Sequence, residues 1–126
     1  MNPFEAGMVA ADGFHSVMDR RIALKGSRIV GGKERKYFYN PMWRLMGDDT
    51  NSFLGTYYYR GGQVSYFWNT FDQILLRSSL LEYFESENIS IISQVSDQSL
   101  LKNNKINKTF SDHLPIMIEL DIERVN

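Results

Sequence analysis

The sequence predicts an α+β fold in which short strands and short helices alternate along a chain of 126 residues. Three observations support this prediction. Apolar residues alternate with other residues over 114–120, as in a strand that buries one face. Two β-rich runs, at 56–60 and 64–68, flank a glycine pair and predict a hairpin. Ser79, followed three residues later by Glu82, predicts the capped start of a helix.

The N-terminal segment has the residues of a helix start. Asn2 can cap a helix, Pro3 suits the first helical position, and Glu5 lies three residues after the cap. Gly13 is a candidate for the left-handed residue that ends this helix. A second helix is predicted over 16–25, where apolar residues recur at mixed spacing.

The remaining elements follow from short apolar or aromatic runs and from the turn residues between them. The predictions are strands at 36–39, 71–77 and 89–95, a helical turn at 42–46, breaks at Gly31-Gly32 and Asn40-Pro41, and loops at 48–51 and 97–109. Residues 28–30 can extend the second helix or begin a strand. Most connections are short, which agrees with a single α+β domain.

The composition is that of a globular protein and excludes several kinds of site. Hydrophobic residues make up 43% of the sequence and aromatic residues 13%, which argues against a disordered chain. The absence of cysteine excludes disulfides, thiolate zinc sites and a cysteine nucleophile. No apolar run approaches membrane-spanning length and no secretory signal is visible, so we expect a cytoplasmic protein with no membrane partner.

Charge is spread unevenly along a chain whose net charge is −1. Between Asp19 and Arg44 the basic residues far outnumber the acids, and they are Arg20, Arg21, Lys25, Arg28, Lys33, Arg35, Lys36 and Arg44. The aromatic run 37–39 and Trp43 lie in the same stretch. Such a stretch can hold a nucleic-acid backbone and stack a base, and the alternative is a solvated helix face.

The tripeptide Ser111-Asp112-His113 stands where a loop meets the strand predicted at 114–120. Pro115 suits the start of that strand, because proline cannot donate to a strand ladder. A carboxylate beside an imidazole can orient a metal or a water and can move a proton near neutral pH. A purely structural role for the pair is the alternative.

A second acidic residue, Asp72, precedes another apolar run in Phe71-Asp72-Gln73-Ile74-Leu75-Leu76. Together with Ser111-Asp112-His113-Leu114-Pro115, this run resembles the endonuclease/exonuclease/phosphatase superfamily. That family has an Asp followed by Gln or Tyr and a hydrophobic run, and then a Ser-Asp-His-x-Pro motif near its C-terminus. Asn2-Pro3-Phe4-Glu5 resembles the segment that directly follows the family's Gly-Asp-Phe-Asn motif.

The resemblance implies an architecture that periodicity does not provide. Residues 1–126 would be the C-terminal half of the family's domain, which is a four-layer α/β/β/α sandwich. This half would contribute one mixed, mainly antiparallel sheet with helices on one face. The other face of that sheet would be apolar and uncovered, so we expect the chain to form a homo-oligomer through it.

The resemblance also implies roles for individual residues. His113 is expected to contact the scissile phosphate and to stabilise the charge that develops on it. Asp72 is expected to bond the other ring nitrogen and so to set the tautomer and orientation of the ring. Asp112 is expected to bind or orient a divalent metal, Mg²⁺ or Mn²⁺, or the attacking water.

Three further residues are interpreted with less support from motifs. Asn69 and Trp68 are candidates for side chains that line the substrate cleft, and aromatic packing is the alternative for Trp68. His15 has no neighbouring acid in the sequence and is interpreted as structural.

The implied function is metal-dependent hydrolysis of a phosphate ester by a nuclease or phosphodiesterase. The family's metal-binding Glu and its Gly-Asp-x-Asn motif belong to the other half of the domain. We therefore interpret the chain as a fragment that is inactive alone and binds Mg²⁺ or Mn²⁺ weakly or not at all. The alternatives are a non-catalytic nucleic-acid-binding module and a protein-interaction module on the same fold. The residues do not distinguish DNA, RNA, inositol phosphate or other phosphodiester substrates.

Overall fold

A computed structural model describes residues 1–46, 55–61 and 67–124. Within these ranges the helices are α1 (Ala6–Val9), α2 (Arg20–Ala23) and the 3-10 helices Pro41–Leu45, Ser78–Tyr83 and Ile122–Arg124. The strands are β1 (Ser16–Val17), β2 (Ser27–Val30), β3 (Lys33–Lys36), β4 (Phe38–Tyr39), β5 (Tyr57–Tyr59), β6 (Phe67–Asn69), β7 (Ile89–Ile91), β8 (Gln94–Val95), β9 (Gln98–Ser99), β10 (Leu101–Lys102), β11 (Lys105–Ile106) and β12 (Ile116–Ile118). Short helices and mainly antiparallel strands agree with the predicted α+β class.

Strands pair two by two throughout the described ranges. The antiparallel pairs are β2–β3, β5–β6, β7–β12, β8–β9 and β10–β11, whereas β1 and β4 run parallel. In the β5–β6 pair, Tyr57 lies opposite Asn69 and Tyr59 lies opposite Phe67. This register confirms the predicted pairing, while most of the predicted turn and the predicted loop at 48–51 lie outside the described residues.

Side chains from both halves of the chain form the core. Its buried cluster consists of Ala23, Tyr39, Met42, Leu76, Leu81, Phe84 and Ile89. Ile116, Ile118 and Leu120 pack against this cluster, and Leu114 is 1% exposed. The alternating run at 114–120 therefore buries the face that its pattern predicted.

Helix α1 is shorter than predicted, because the Asn2 side chain forms tertiary contacts instead of a cap. Its Oδ1 accepts from the N–H of Thr70 at 2.7 Å, and its Nδ2 donates to Oδ1 of Asn69 at 3.0 Å. The helix begins at Ala6, after Glu5. Asn2 is thereby buried, and it ties the N-terminus to β6.

Gly13 does not end α1 in a left-handed conformation, since the helix already ends at Val9. The position nevertheless requires glycine. A Cβ at Gly13 would lie 2.3 Å from the carbonyl oxygen of Gly7, which is far inside a normal contact distance.

The second predicted helix is wrong over its first half. Ser16 and Val17 form strand β1, because they pair with Phe38 and Tyr39 of β4. Helix α2 starts only after Asp19, which caps it: the Asp19 carboxylate accepts a hydrogen bond from the backbone N–H of Arg21 at 2.8 Å. Hydrogen bonds from the side chain and backbone of Arg21 lower the pKa of Asp19.

The break predicted at Gly31-Gly32 is the turn of the β2–β3 hairpin. Both glycines have positive φ, 58° and 76°, as a tight hairpin turn of this handedness requires. Residues 28–30 therefore begin a strand and do not extend a helix.

The His15 side chain packs against this hairpin, which agrees with its interpretation as a structural residue. It is 2% exposed, and its ring stacks on Tyr37 with the ring centroids 4.5 Å apart. Nε2 accepts from Nε of Arg28 at 2.9 Å, so Nδ1 carries the hydrogen and donates to the carbonyl oxygen of Lys36 at 3.1 Å.

The strand predicted at 71–77 is wrong except at one residue. Leu76 forms an isolated antiparallel bridge with Tyr39, and residues 71–75 have no strand partner in the described part of the chain. The backbone N–H groups of Phe71 and Asp72 donate instead to the side-chain hydroxyl of Thr56.

The predicted helix after Ser79 is a 3-10 helix, Ser78–Tyr83, which follows Arg77 without a side-chain cap. Its three-residue period places Leu81 and Phe84 on one side, and both are fully buried. The predicted capping box is therefore not formed, and the helix is held by the burial of these two side chains in the core.

The predicted strand at 89–95 and the loop at 97–109 are wrong in detail. Strand β7 ends at Ile91, and two short hairpins, β8–β9 and β10–β11, follow it. Asn103 and Asn104 form the second turn with φ values of 55° and 60°. Asparagine tolerates this left-handed conformation, so the Asn-Asn pair was a signal for a hairpin.

No helix among the described residues is long and apolar enough to cross a membrane.

Candidate functional site

His113 is positioned by backbone contacts with the start of the β5 hairpin. It forms an antiparallel bridge with Tyr57, and the N–H of Leu114 donates to the carbonyl oxygen of Thr56 at 2.8 Å. The N–H of His113 donates to the hydroxyl oxygen of Ser111 at 3.1 Å. Because Leu114 is buried, the chain is anchored directly after His113.

Asp72 is positioned by the side chain of the same residue, Thr56. The Thr56 hydroxyl oxygen is fully enclosed and accepts from the N–H of Phe71 at 3.1 Å and from that of Asp72 at 3.2 Å. The N–H of Thr56 donates to the carbonyl oxygen of Asn69 at 2.9 Å. Thr56 therefore joins the segment of Asp72, the segment of His113 and strand β6.

This arrangement brings Asp72 and His113 together, although 41 positions separate them in the sequence. Nδ1 of His113 lies 2.7 Å from Oδ2 of Asp72, which is the contact implied by the family resemblance. A carboxylate only accepts hydrogen bonds, so Nδ1 carries the hydrogen. Nε2 has no partner among the described residues. The side chains are 39% and 40% exposed, so a ligand can reach the pair.

Aromatic rings limit the freedom of the His113 imidazole. The Tyr57 ring lies against it, with the ring centroids 4.9 Å apart. Tyr57 also stacks on Phe71, the residue before Asp72, at 5.4 Å. The two members of the pair are thus held by packing as well as by hydrogen bonds.

Asp72 and His113 line a cavity of about 400 Å³, which we call the His113 cleft. Ser111 and Asn107 are the other polar residues of its lining. The rest of the wall is apolar and comprises Val95, Leu100, Ile106, Phe110, Leu114, Pro115 and Ile116. A largely apolar cleft with a few convergent polar groups is the usual form of a ligand site.

Asp112 lies apart from this pair. It is exposed, it forms no ion pair within the described residues, and it is not part of the cleft lining. Over residues 1–46, 55–61 and 67–124, no three His, Cys, Asp or Glu side chains group as a metal site would require. A single exposed carboxylate is a poor ligand set for Mg²⁺, so Asp112 alone would hold such an ion weakly. The Mg²⁺ or Mn²⁺ cofactor stays a prediction.

Asn69 and Trp68 lie on strand β6 and do not line the His113 cleft. Asn69 is 5% exposed and its amide bonds Asn2, so its polar atoms serve the buried network. Trp68 packs edge-on against Tyr58, with the ring centroids 5.2 Å apart. Neither residue lines the His113 cleft, and their contact with a substrate stays a prediction.

Two contributors to the site were not predicted from the sequence: Thr56, and the wall formed by Leu100, Ile106 and Asn107. Thr56 holds both polar segments, but a threonine at the start of a β-rich run carries no pattern that predicts such a role. Asn107, Ile106 and Leu100 build the far wall of the cleft from residues assigned to a loop. The Asn-Asn turn between β10 and β11 was the available signal for this wall.

No protein-family model matches the chain, and no curated protein or solved structure matches it. Function is therefore inferred from the geometry of the His113 cleft and from the motifs that line it.

Thr56→Val is expected to lower the free energy of unfolding by about 1–3 kcal/mol, because it removes the acceptor of two backbone N–H groups at nearly constant volume. Urea unfolding, followed by circular dichroism, measures the change.

Thr70→Val is the matched control. Thr70 is 1% exposed and its hydroxyl has no hydrogen-bond partner among the residues that the structure describes, so its removal is expected to be neutral or stabilising. Equal destabilisation by both substitutions would contradict the role assigned to Thr56.

Proposed function

We propose that the chain carries the carboxylate–imidazole part of a phosphoesterase site, on the C-terminal half of an endonuclease/exonuclease/phosphatase sandwich. The observation that carries this proposal is the 2.7 Å contact between Nδ1 of His113 and Oδ2 of Asp72 in the wall of a cleft. The contact joins the two motifs that resemble the family. The reaction class is hydrolysis of a phosphate ester.

His113 acts on the phosphate through Nε2. When the ring is protonated, Nε2–H donates to a non-bridging phosphate oxygen, where negative charge develops in the transition state. When the ring is neutral, Nε2 accepts a hydrogen bond from a water molecule that attacks phosphorus. In both states Asp72 holds Nδ1–H, which keeps the ring oriented.

Asp112 is the proposed ligand for Mg²⁺ or Mn²⁺, or the residue that orients the attacking water. Carboxylate oxygens are the ligands that these ions prefer. A single exposed carboxylate holds such an ion weakly, so weak or absent metal binding and negligible hydrolysis are expected of the 126-residue chain alone.

Binding of a phosphodiester at His113 is testable by NMR, since the chain has only 2 histidines. Titration with dimethyl phosphate is expected to shift the imidazole resonances of His113. Those of His15 should not move if the ester binds only at His113; a shift at His15 would report binding in the separate basic cleft that its buried ring lines. The shift should weaken in Asp72→Asn, whose amide no longer fixes the tautomer.

Unchanged His113 resonances at millimolar ester would contradict the proposed site. Asp97→Asn is the control variant, because Asp97 is an exposed carboxylate outside the cleft lining. Hydrolysis is measured in parallel with Mg²⁺ or Mn²⁺. A metal-dependent rate that disappears in His113→Ala would overturn the expectation of an inactive chain, and it would support the site.

A nucleic-acid-binding module is the second candidate, and a basic cleft on the β2–β3 hairpin favours it. This cavity of about 370 Å³, the Arg77 cleft, is lined by Ala11, Gly13, Phe14, His15, Glu34, Arg35, Lys36, Phe38 and Arg77. The Arg77 guanidinium lies 3.7 Å above the centre of the Phe38 ring. Within the described ranges, no carboxylate pairs with Arg35, Lys36 or Arg77, and Nε of Arg35 is buried without a partner. Unpaired cations beside an aromatic ring suit a polyanion.

Replacement of Lys33, Arg35 and Lys36 by Gln is expected to weaken salt-dependent binding of an oligonucleotide, without any turnover. Each lost phosphate contact makes the slope of log K against log salt shallower by about 0.7 for a single strand. Lys102→Gln is the control, because Lys102 is an exposed lysine outside both the basic stretch at 19–44 and this cleft. Equal binding by the triple variant and the control would eliminate this candidate.

Self-association remains part of the proposal. Large apolar side chains are exposed on several elements, among them Met18, Leu24, Ile29, Val95, Phe110 and Met117. Their burial between copies is the expected driving force. Light scattering at micromolar concentration should therefore give at least twice the 14.7 kDa of one chain, and a monomeric mass would refute this expectation.

A further inference from the structure

A second cleft adjoins the His113 cleft. It has a volume of about 300 Å³, and we call it the Lys105 cleft. Its lining consists of Tyr58, Tyr59, Arg60, Lys105, Ile106 and Lys108. Ile106, at the end of β11, lines both cavities, so the two clefts share a wall.

The Lys105 cleft is basic, and no acid is among the described residues that line it. Arg60, Lys105 and Lys108 are all exposed, and in the described part of the chain no carboxylate pairs with any of them. The Lys105 ammonium lies 5.7 Å from the centre of the Tyr58 ring, which holds it at the cleft surface. Cations without counter-charges on a concave surface concentrate an anionic ligand.

We propose that the Lys105 cleft binds a backbone phosphate of a polynucleotide whose scissile phosphate lies against His113. This inference rests on the proposed phosphoesterase function, and it narrows the substrate class from phosphate esters in general to nucleic acid. A simple diester carries one negative charge and would leave the cations of this cleft unused. A polynucleotide supplies a second phosphate beside the one that reacts.

The tyrosines distinguish a polynucleotide from other phosphate-bearing ligands. Tyr59 is 54% exposed in the cleft, so its ring offers a stacking surface for a base. A phosphoinositide headgroup carries phosphates as well, but it has no base to stack. The lining therefore favours a nucleic acid over an anionic lipid.

The experiment measures binding without cleavage. Fluorescence anisotropy follows a labelled single-stranded oligonucleotide on the full chain, in EDTA and over a series of salt concentrations. Lys105→Gln combined with Lys108→Gln is expected to make the slope of log K against log salt shallower by about 0.7 for each lysine. Tyr59→Ala is expected to weaken binding about tenfold, which corresponds to the loss of one stacked base.

Lys102→Gln is the matched control, because Lys102 is an exposed lysine of the same β10–β11 hairpin that does not line the cleft. Arg60→Gln provides a second, independent variant of the cleft. The proposal is overturned if the cleft variants bind the oligonucleotide as the control does, or if only the variants of the β2–β3 hairpin lose binding. It is also overturned if the lysines are needed for vesicles of phosphatidylinositol phosphate and not for the oligonucleotide.

The phosphodiester titration of His113 distinguishes failure of the proposed phosphoesterase function from failure of the proposed phosphate subsite in the Lys105 cleft. A shift at His113 with normal oligonucleotide binding by the Lys105 variants would leave the phosphoesterase function standing without this subsite. Loss of oligonucleotide binding in those variants, with no response at His113, would support a nucleic-acid cleft and remove the catalytic role.

Discussion

Thr56 is the residue on which the geometry of the candidate site depends. Its N–H bonds the carbonyl of Asn69, its carbonyl bonds the N–H of Leu114, and its hydroxyl bonds the N–H of Asp72. Because Thr56 is fully buried, water cannot replace any of these partners. The 2.7 Å contact between Asp72 and His113 is thus the consequence of a backbone network that sets both segments, and not of attraction between two side chains alone.

Buried amide side chains extend this network to the rest of the chain. Asn2 connects the N-terminus to Asn69, and Nδ2 of Asn40 donates to Oε1 of Gln73 at 3.0 Å. The backbone N–H groups of Phe71 and Asp72 donate to the Thr56 hydroxyl, which takes the place of acceptors that a neighbouring strand would otherwise supply. Asp72 therefore lies on an irregular segment, from which its carboxylate contacts the His113 ring.

The electrostatics of the molecule are local. A net charge of −1 suggests no affinity for polyanions, yet in both basic clefts the cations outnumber the acids among the described lining residues. The Arg77 cleft has three cations and Glu34, and the Lys105 cleft has three cations and no acid. Surface charge acts over about a Debye length, near 10 Å, so the balance within a cleft matters more than the total. The His113 cleft differs from these two basic clefts, because its wall is mainly apolar and its polar groups are few.

Local sequence pattern was sufficient to predict the buried face of 114–120, the pairing of the β5 hairpin and the α+β class. These features depend on side-chain alternation and turn chemistry, which involve residues close together in the sequence. The Asp72–His113 contact was predicted only from the resemblance to a family motif. The roles of Asn2 and Thr56 are evident only in the tertiary structure, since their side-chain hydrogen bonds join residues far apart in the sequence. Such long-range bonds overrode local preference at 16–17 and 71–75, where a tertiary partner, and not periodicity, set the conformation.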